Sequence, residues 1–151
     1  MQLFTDGSVH PPSRIGYGAY LAITNPQENP DVHLKRFENT SSSQLELETL
    51  IWALREQNPQ EVTIYTDSQT IIGLPARRAR FEARNYLTRQ NQPIKHTLLY
   101  REFFQLTDQM NCTLIKMKGH RVSHEKTDLD HLFTRVDRAS RRALRSDTHC
   151  I

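Results

Sequence analysis

Leu3-Phe4-Thr5-Asp6-Gly7-Ser8 and its echo, Ile64-Tyr65-Thr66-Asp67-Ser68-Gln69, decide how this chain is read. In each, a short apolar run ends in Thr-Asp and a small residue, the pattern of a buried strand running into a turn. Between them, Leu47, Leu50, Ile51 and Leu54 recur at i, i+3, i+4 and i+7, which predicts a core-facing helix to about Gln57. Ser43 followed by Glu46 has the form of a capping box at its start, and Asn58-Pro59 ends it. A strand–helix–strand path of this length makes a right-handed crossover and leaves the strands parallel. With the two strands as neighbours, Asp6 and Asp67 emerge at one carboxyl edge, where open α/β sheets place their ligand sites.

Working outward, residues 2–6, Tyr17–Ile23 and Val32–Phe37 read as an antiparallel meander interrupted by Pro/Ser and Asn-Pro turns. The pair Gly16-x-Gly18 marks a bulge or a close backbone approach. After the second Thr-Asp ending comes a basic helical region, broken near Gln90-Asn91-Gln92-Pro93. Leu98, Leu99, Phe103 and Leu106 mark another amphipathic helix, and Cys112–Met117 a fifth strand that leads into Lys118-Gly119-His120. A last helix carries Leu129, Leu132, Phe133, Val136, Ser140, Ala143 and Leu144, with Thr127 as N-cap and Asp130 at the capping-box position. This predicts one mixed α/β domain over residues 1–145 and a frayed tail over 146–151.

Composition narrows the partners. At 151 residues, with 36% hydrophobic and 25% charged, the chain can bury one substantial core. No apolar run approaches the ~20 residues that span a bilayer, and no apolar signal core opens the sequence. A cytoplasmic monomer without membrane contact is the expectation. Cys112 and Cys150 make no disulfide framework, and no Cys/His spacing suits zinc. The net charge of +3 is mild, but its distribution is not. Arg77, Arg78, Arg80, Arg84, Arg89, Lys95 and Arg101 face Glu82 alone, and Arg135, Arg138, Arg141, Arg142 and Arg145 crowd the last helix. Such clusters favour a polyanionic partner.

A glutamate at the margin of a core-facing stripe, as Glu46 is, stands out because charges seldom lie there unpaired. If Asp6, Glu46 and Asp67 converge, their mutual repulsion calls for cations. Hard divalent ions suit such oxygen donors, and Mg²⁺ prefers a few carboxylates together with water and phosphate. An acidic sheet edge flanked by arginines therefore points to metal-assisted chemistry at a phosphodiester.

Thr5-Asp6-Gly7-Ser8, Gly16-Tyr17-Gly18-Ala19, Leu45-Glu46-Leu47, Thr66-Asp67-Ser68-Gln69 and Lys118-Gly119-His120 stand in the order found in type 1 ribonuclease H, which the chain resembles over nearly its whole length. The resemblance implies a ribonuclease H-like α/β fold, a five-stranded mixed sheet in order 3-2-1-4-5 with helices on both faces. It implies an endonuclease that hydrolyses the RNA strand of RNA–DNA hybrids, leaving 5′-phosphate and 3′-hydroxyl ends. It also implies two Mg²⁺ ions, with Mn²⁺ as the alternative, held by Asp6, Glu46, Asp67 and a fourth carboxylate. His120 matches a loop histidine that assists proton transfer or product release, with His124 as fallback. Gly7, Ser8, Ser42, Ser43 and Gln69 hold the positions that read the 2′-hydroxyl; Ser42 and Ser43 stand where many members carry asparagine. The region from Arg77 to Lys95 lies where some members have a hybrid-binding protrusion.

The fourth carboxylate has two candidates. Ten residues beyond His120 lies Asp130, whose neighbour Phe133 is bulky. Asp137, seven residues further (137 − 130), sits in Asp137-Arg138-Ala139-Ser140-Arg141-Arg142-Ala143, closer to the pattern of the resembled family and beside small residues that permit a close helix approach. Asp137 is the preferred assignment. A different nucleic-acid substrate on the same fold, or a hybrid-binding module without catalysis, are the competing readings.

Overall fold

The computed structural model describes residues 1–25, 29–118 and 127–148. In chain order the elements are β1 (Gln2–His10), β2 (Ile15–Ile23), β3 (His33–Phe37), α1 (Ser42–Gln57), β4 (Glu61–Thr66), α2 (Gln69–Ala83), α3 (Thr97–Asp108), β5 (Asn111–Lys116) and α4 (Asp128–Thr148). The sheet runs β3-β2-β1-β4-β5, the order expected. β1–β2 and β2–β3 pair antiparallel, β1–β4 and β4–β5 parallel. The crossover through α1 thus makes β1 and β4 central neighbours.

Strand alternation sorts the core onto two faces. Leu3, Tyr20 and Ile64 point to the side where Leu47, Leu50, Leu54, Ile71, Leu74 and Phe103 bury against them. Phe4, Ala19, Leu21 and Tyr65 point to the other, under Val136 and the partly buried Leu129, Leu132 and Phe133 of α4. The same parity continues past the core. Asp6 and Ser8 follow Phe4 toward α4, and Gly7 follows Leu3 toward α1.

Three glycines set how closely α1 lies on the sheet. A Cβ added at Gly7 or at Gly16 would come within 2.8 Å of Leu45 Cδ2, and one at Gly18 within 2.2 Å of Thr49 Oγ1. Gly16-x-Gly18 is therefore a close approach, with both residues in the regular β1–β2 register.

Several boundaries differ from the sequence reading. α1 is capped by Ser41, not Ser43: Ser41 is extended at φ −130° and its hydroxyl accepts from the Gln44 N–H at 3.4 Å. All of Ser41-Ser42-Ser43 are good caps by type, so packing chooses among them. β1 runs four residues beyond Asp6, because its hairpin with β2 stays paired to His10 and Ile15. The expected tail does not begin at Ser146, since α4 continues to Thr148. Asp147 holds this last turn down by accepting from Tyr17 Oη at 2.8 Å and Arg36 Nε at 2.6 Å.

Candidate active site

The β1–β4 register pairs Leu3 with Ile64 and Phe4 with Tyr65. Carried two residues further, it sets Asp6 level with Asp67. Asp6 is half-buried on β1 between two strands, whereas Asp67 is exposed immediately after β4. Glu46 reaches the same strand ends from the first turns of α1, brought close by the glycine-lined approach of that helix. Its Oε2 accepts a 2.6 Å hydrogen bond from the buried Ser68 hydroxyl. The Ser68 oxygen in turn accepts from the Ile71 N–H at 3.2 Å and so caps α2. Sequence reasoning passed over Ser68, although a serine directly before a helix is a strong capping signal.

Both candidates for the fourth carboxylate lie on α4. Asp137 shares a hydrogen bond with Asp6. Arg141 Nε donates to Asp137 Oδ1 at 2.9 Å, and the backbone oxygen of Asp137 accepts from Ser140 Oγ at 3.0 Å. Ser140 is fully buried and lies 3.1 Å, oxygen to oxygen, from the Ser8 hydroxyl. These small side chains are what let α4 lie against β1 here. Asp130 is spent differently: its Oδ2 accepts from the backbone N–H of Thr127 at 2.9 Å and from the Thr127 hydroxyl at 3.0 Å, while its own N–H donates back to Thr127 Oγ1. That is the predicted capping box, two turns away from the site.

Electrostatics follow this crowding. Burial pushes the Asp6 carboxyl from an ordinary 3.8 up to about 8, the Asp67 charge and the hydrogen bond with Asp137 add to the rise, and the Gly7 N–H opposes it. Glu46 is also raised, first by burial and further by Asp67, against the hydrogen bond from Ser68. The crowding therefore disfavours full negative charge at this edge, most strongly at Asp6. As the side chains stand, no three His, Cys, Asp or Glu among the described residues close into a ready ligand cluster, because Glu46 is turned to Ser68 and Asp6 to Asp137. The donor set nevertheless fits a hard divalent cation: all four groups are carboxylates around one strand edge, and a cation would relieve their mutual repulsion.

The remaining expected residues are dispersed around this edge. Ser42 and Ser43 are exposed on the first turn of α1. Gln69, exposed at the start of α2, uses its Oε1 to accept from Lys116 Nζ of β5. Gly7 lies beneath Leu45, and the Ser8 hydroxyl is engaged with Ser140. His120 and His124 lie outside the described residues.

A model of the RNase H family matches residues 1–138. The chain is 29% identical over 145 residues to a ribonuclease H of Moorella thermoacetica, covering 93% of each chain. It is 28% identical over 151 residues to a ribonuclease H of Aeromonas salmonicida, covering 98% of this chain and 95% of that one. Among solved structures, the PFV RNase H domain superposes with a TM-score of 0.72 at 15% identity, over 93% of this chain and 92% of that one. The native Prototype Foamy Virus protease–reverse transcriptase gives a TM-score of 0.74 at 17% identity, matching 93% of this chain to 20% of its own. At these identities the structural matches speak for the fold.

Proposed function

The chain belongs to the RNase H family, and from that premise we propose that it cuts the RNA strand of RNA–DNA hybrids, leaving 5′-phosphate and 3′-hydroxyl ends. The observation that supports this reading is that Asp6 stands level with Asp67 at the end of the central strands, with Asp137 of α4 acting on Asp6 and Glu46 beside them on Ser68. A binding module gains nothing from carboxylates facing phosphates, whereas a metal-dependent hydrolase requires them.

Asp6, Glu46, Asp67 and Asp137 would hold the ions, Asp6 centrally. The chemistry that two Mg²⁺ ions, or Mn²⁺ in their place, supply at such a site is activation of water and neutralisation of charge on the departing 3′ oxygen. The protein's own groups do the rest. Ser68 and Arg141 aim Glu46 and Asp137, so little side-chain entropy is left to lose when substrate arrives. Because burial and the neighbouring charge disfavour the ionised form of Asp6 that a cation needs, cation affinity should rise with pH. Gly7, Ser42, Ser43 and Gln69 border the cleft and are proposed to read the 2′-hydroxyl, with Ser8 held to α4 behind them. Gln69 presents its amide N–H groups for this, since its oxygen is taken by Lys116. His120, just past β5, is proposed to move the proton of the leaving group or help release product, with His124 as the alternative.

Cleavage of RNA–DNA, RNA–RNA and DNA–DNA duplexes of one sequence in Mg²⁺ tests the substrate class. Cutting confined to the RNA strand of the hybrid is the expected result. Equal cutting of all three, or binding without cutting, would overturn it.

A further inference from the structure

The carboxylate site uses one flank of α4, but the helix is basic along the side facing away from the sheet. At 100° per residue, Val136 and Ser140, both fully buried, fix its inward direction. His131, Arg135, Arg138, Arg142 and Arg145 then fall in one stripe on the opposite side, at spacings of four, three, four and three residues, with Arg141 at its edge. Asp130 and Asp137 lie on one flank, Asp128 borders the stripe one turn before His131 at its N-terminal end, and Asp147 points inward to Tyr17 and Arg36, so no acidic residue of α4 falls within the stripe from Arg135 to Arg145. The stripe is fully presented: His131, Arg138, Arg142 and Arg145 are exposed, and Arg135 is half-exposed, held by Asn29 Oδ1 and the Pro30 carbonyl at the N-terminal end. The fourteen helical steps from 131 to 145 extend over roughly 21 Å. That equals about six steps of a duplex at ~3.4 Å each.

We infer that the outward face of α4 is a second polyanion surface, which grips the phosphate backbone of a nucleic-acid duplex outside the cleavage cleft. A straight row of guanidinium groups one helical turn apart suits phosphate contacts, and phosphate contacts carry no sequence information, so this grip is independent of sequence. An anionic membrane is the less fitting polyanion. Leu129, Leu132, Phe133 and Val136 are turned into the sheet, which leaves the helix no apolar face to insert in lipid. The choice of nucleic acid rests on the cleavage reading above, but the surface itself can be tested without catalysis.

The test is duplex binding with EDTA present, across a salt series, for the wild type, the triple variant Arg138→Gln/Arg142→Gln/Arg145→Gln, and the corresponding triple Arg→Lys variant. A 30-base-pair RNA–DNA hybrid and a DNA duplex of the same sequence are run in parallel to separate the two sources of phosphate. The glutamine variant should bind at least one of these duplexes about tenfold or more weakly near 0.1 M salt, and its slope of log affinity against log salt should be shallower by about 2–3. The lysine variant should restore the slope. Matching melting temperatures establish that the variants are folded, since all three positions are exposed. Identical affinity and slope for wild type and glutamine variant on both duplexes would overturn the inference. So would a loss seen only with phosphatidylserine vesicles. A wild type that binds through this face but does not cut hybrid would keep the surface and sink the cleavage reading instead.

Discussion

Asp6 is the residue on which function and stability oppose each other. Its carboxyl takes up protons more readily in the folded chain than in the unfolded one, with a folded value near 8 against an ordinary 3.8. The folded state therefore binds more protons across that interval, so stability from this group is complete below about pH 4 and is lost as pH rises toward 8. In metal-free protein, Asp6→Asn should melt higher than wild type by about 5 °C or more at pH 8, with the gap closing toward pH 4. Melting curves at several pH values check this, and a gap that widened toward acid pH would contradict it. The last helix offers a second contrast. Asp137→Asn should lower hybrid cleavage by about a hundredfold or more, because it removes a charge in contact with Asp6. Asp130→Asn should leave cleavage intact and cost no more than ~1 kcal/mol, the worth of a helix-start charge. Loss of cleavage in the Asp130 variant alone would reverse the assignment. The close approach of α4 at this point was legible from the small residues after Asp137, since Ser140 proves to be the side chain pressed against Ser8. The Ser68–Glu46 bond was not, because it joins residues 22 positions apart whose meeting depends on the whole crossover.

At the scale of elements, the approach of α1 to the sheet determines where Glu46 can stand. Gly18 is its tightest point, and the atoms it would meet include Thr49 Cβ at 3.0 Å, which a side-chain rotation cannot move away. Gly7 faces the far end of Leu45, which can swing aside. Gly18→Ala should thus lose about 1–3 kcal/mol and Gly7→Ala less, read from denaturant midpoints. Thr49→Ala should recover part of the Gly18→Ala loss, and costs little itself because Thr49 Oγ1 is buried without a hydrogen-bond partner. Equal losses for the two glycines would mean that α1 is not clamped there. Helix periodicity and strand endings made the order of elements readable in advance, but not their edges. Three adjacent serines could each have capped α1, and the extent of α4 depends on Asp147 meeting Tyr17 and Arg36 from distant strands.

For the whole molecule, the sheet order places two parallel strand ends side by side, α1 delivers a carboxylate from one face, and α4 delivers another from the opposite face. The fold was legible because its elements lie on strongly patterned segments, and the four proposed ligands are read from the same segments. The two basic clusters were legible only as charge; the packing of α4 turns one of them into an oriented stripe. The central claim is that these four carboxylates form one metal-dependent hydrolytic site. Its most direct measurement is cleavage of a uniform RNA–DNA hybrid by wild type and by Asp6→Asn, each with Mg²⁺ and with excess EDTA. The account predicts cutting of the RNA strand by wild type in Mg²⁺ alone, with 5′-phosphate and 3′-hydroxyl products, and at most trace activity in the other three conditions. Cleavage that persisted in EDTA, or in Asp6→Asn with Mg²⁺, would contradict it.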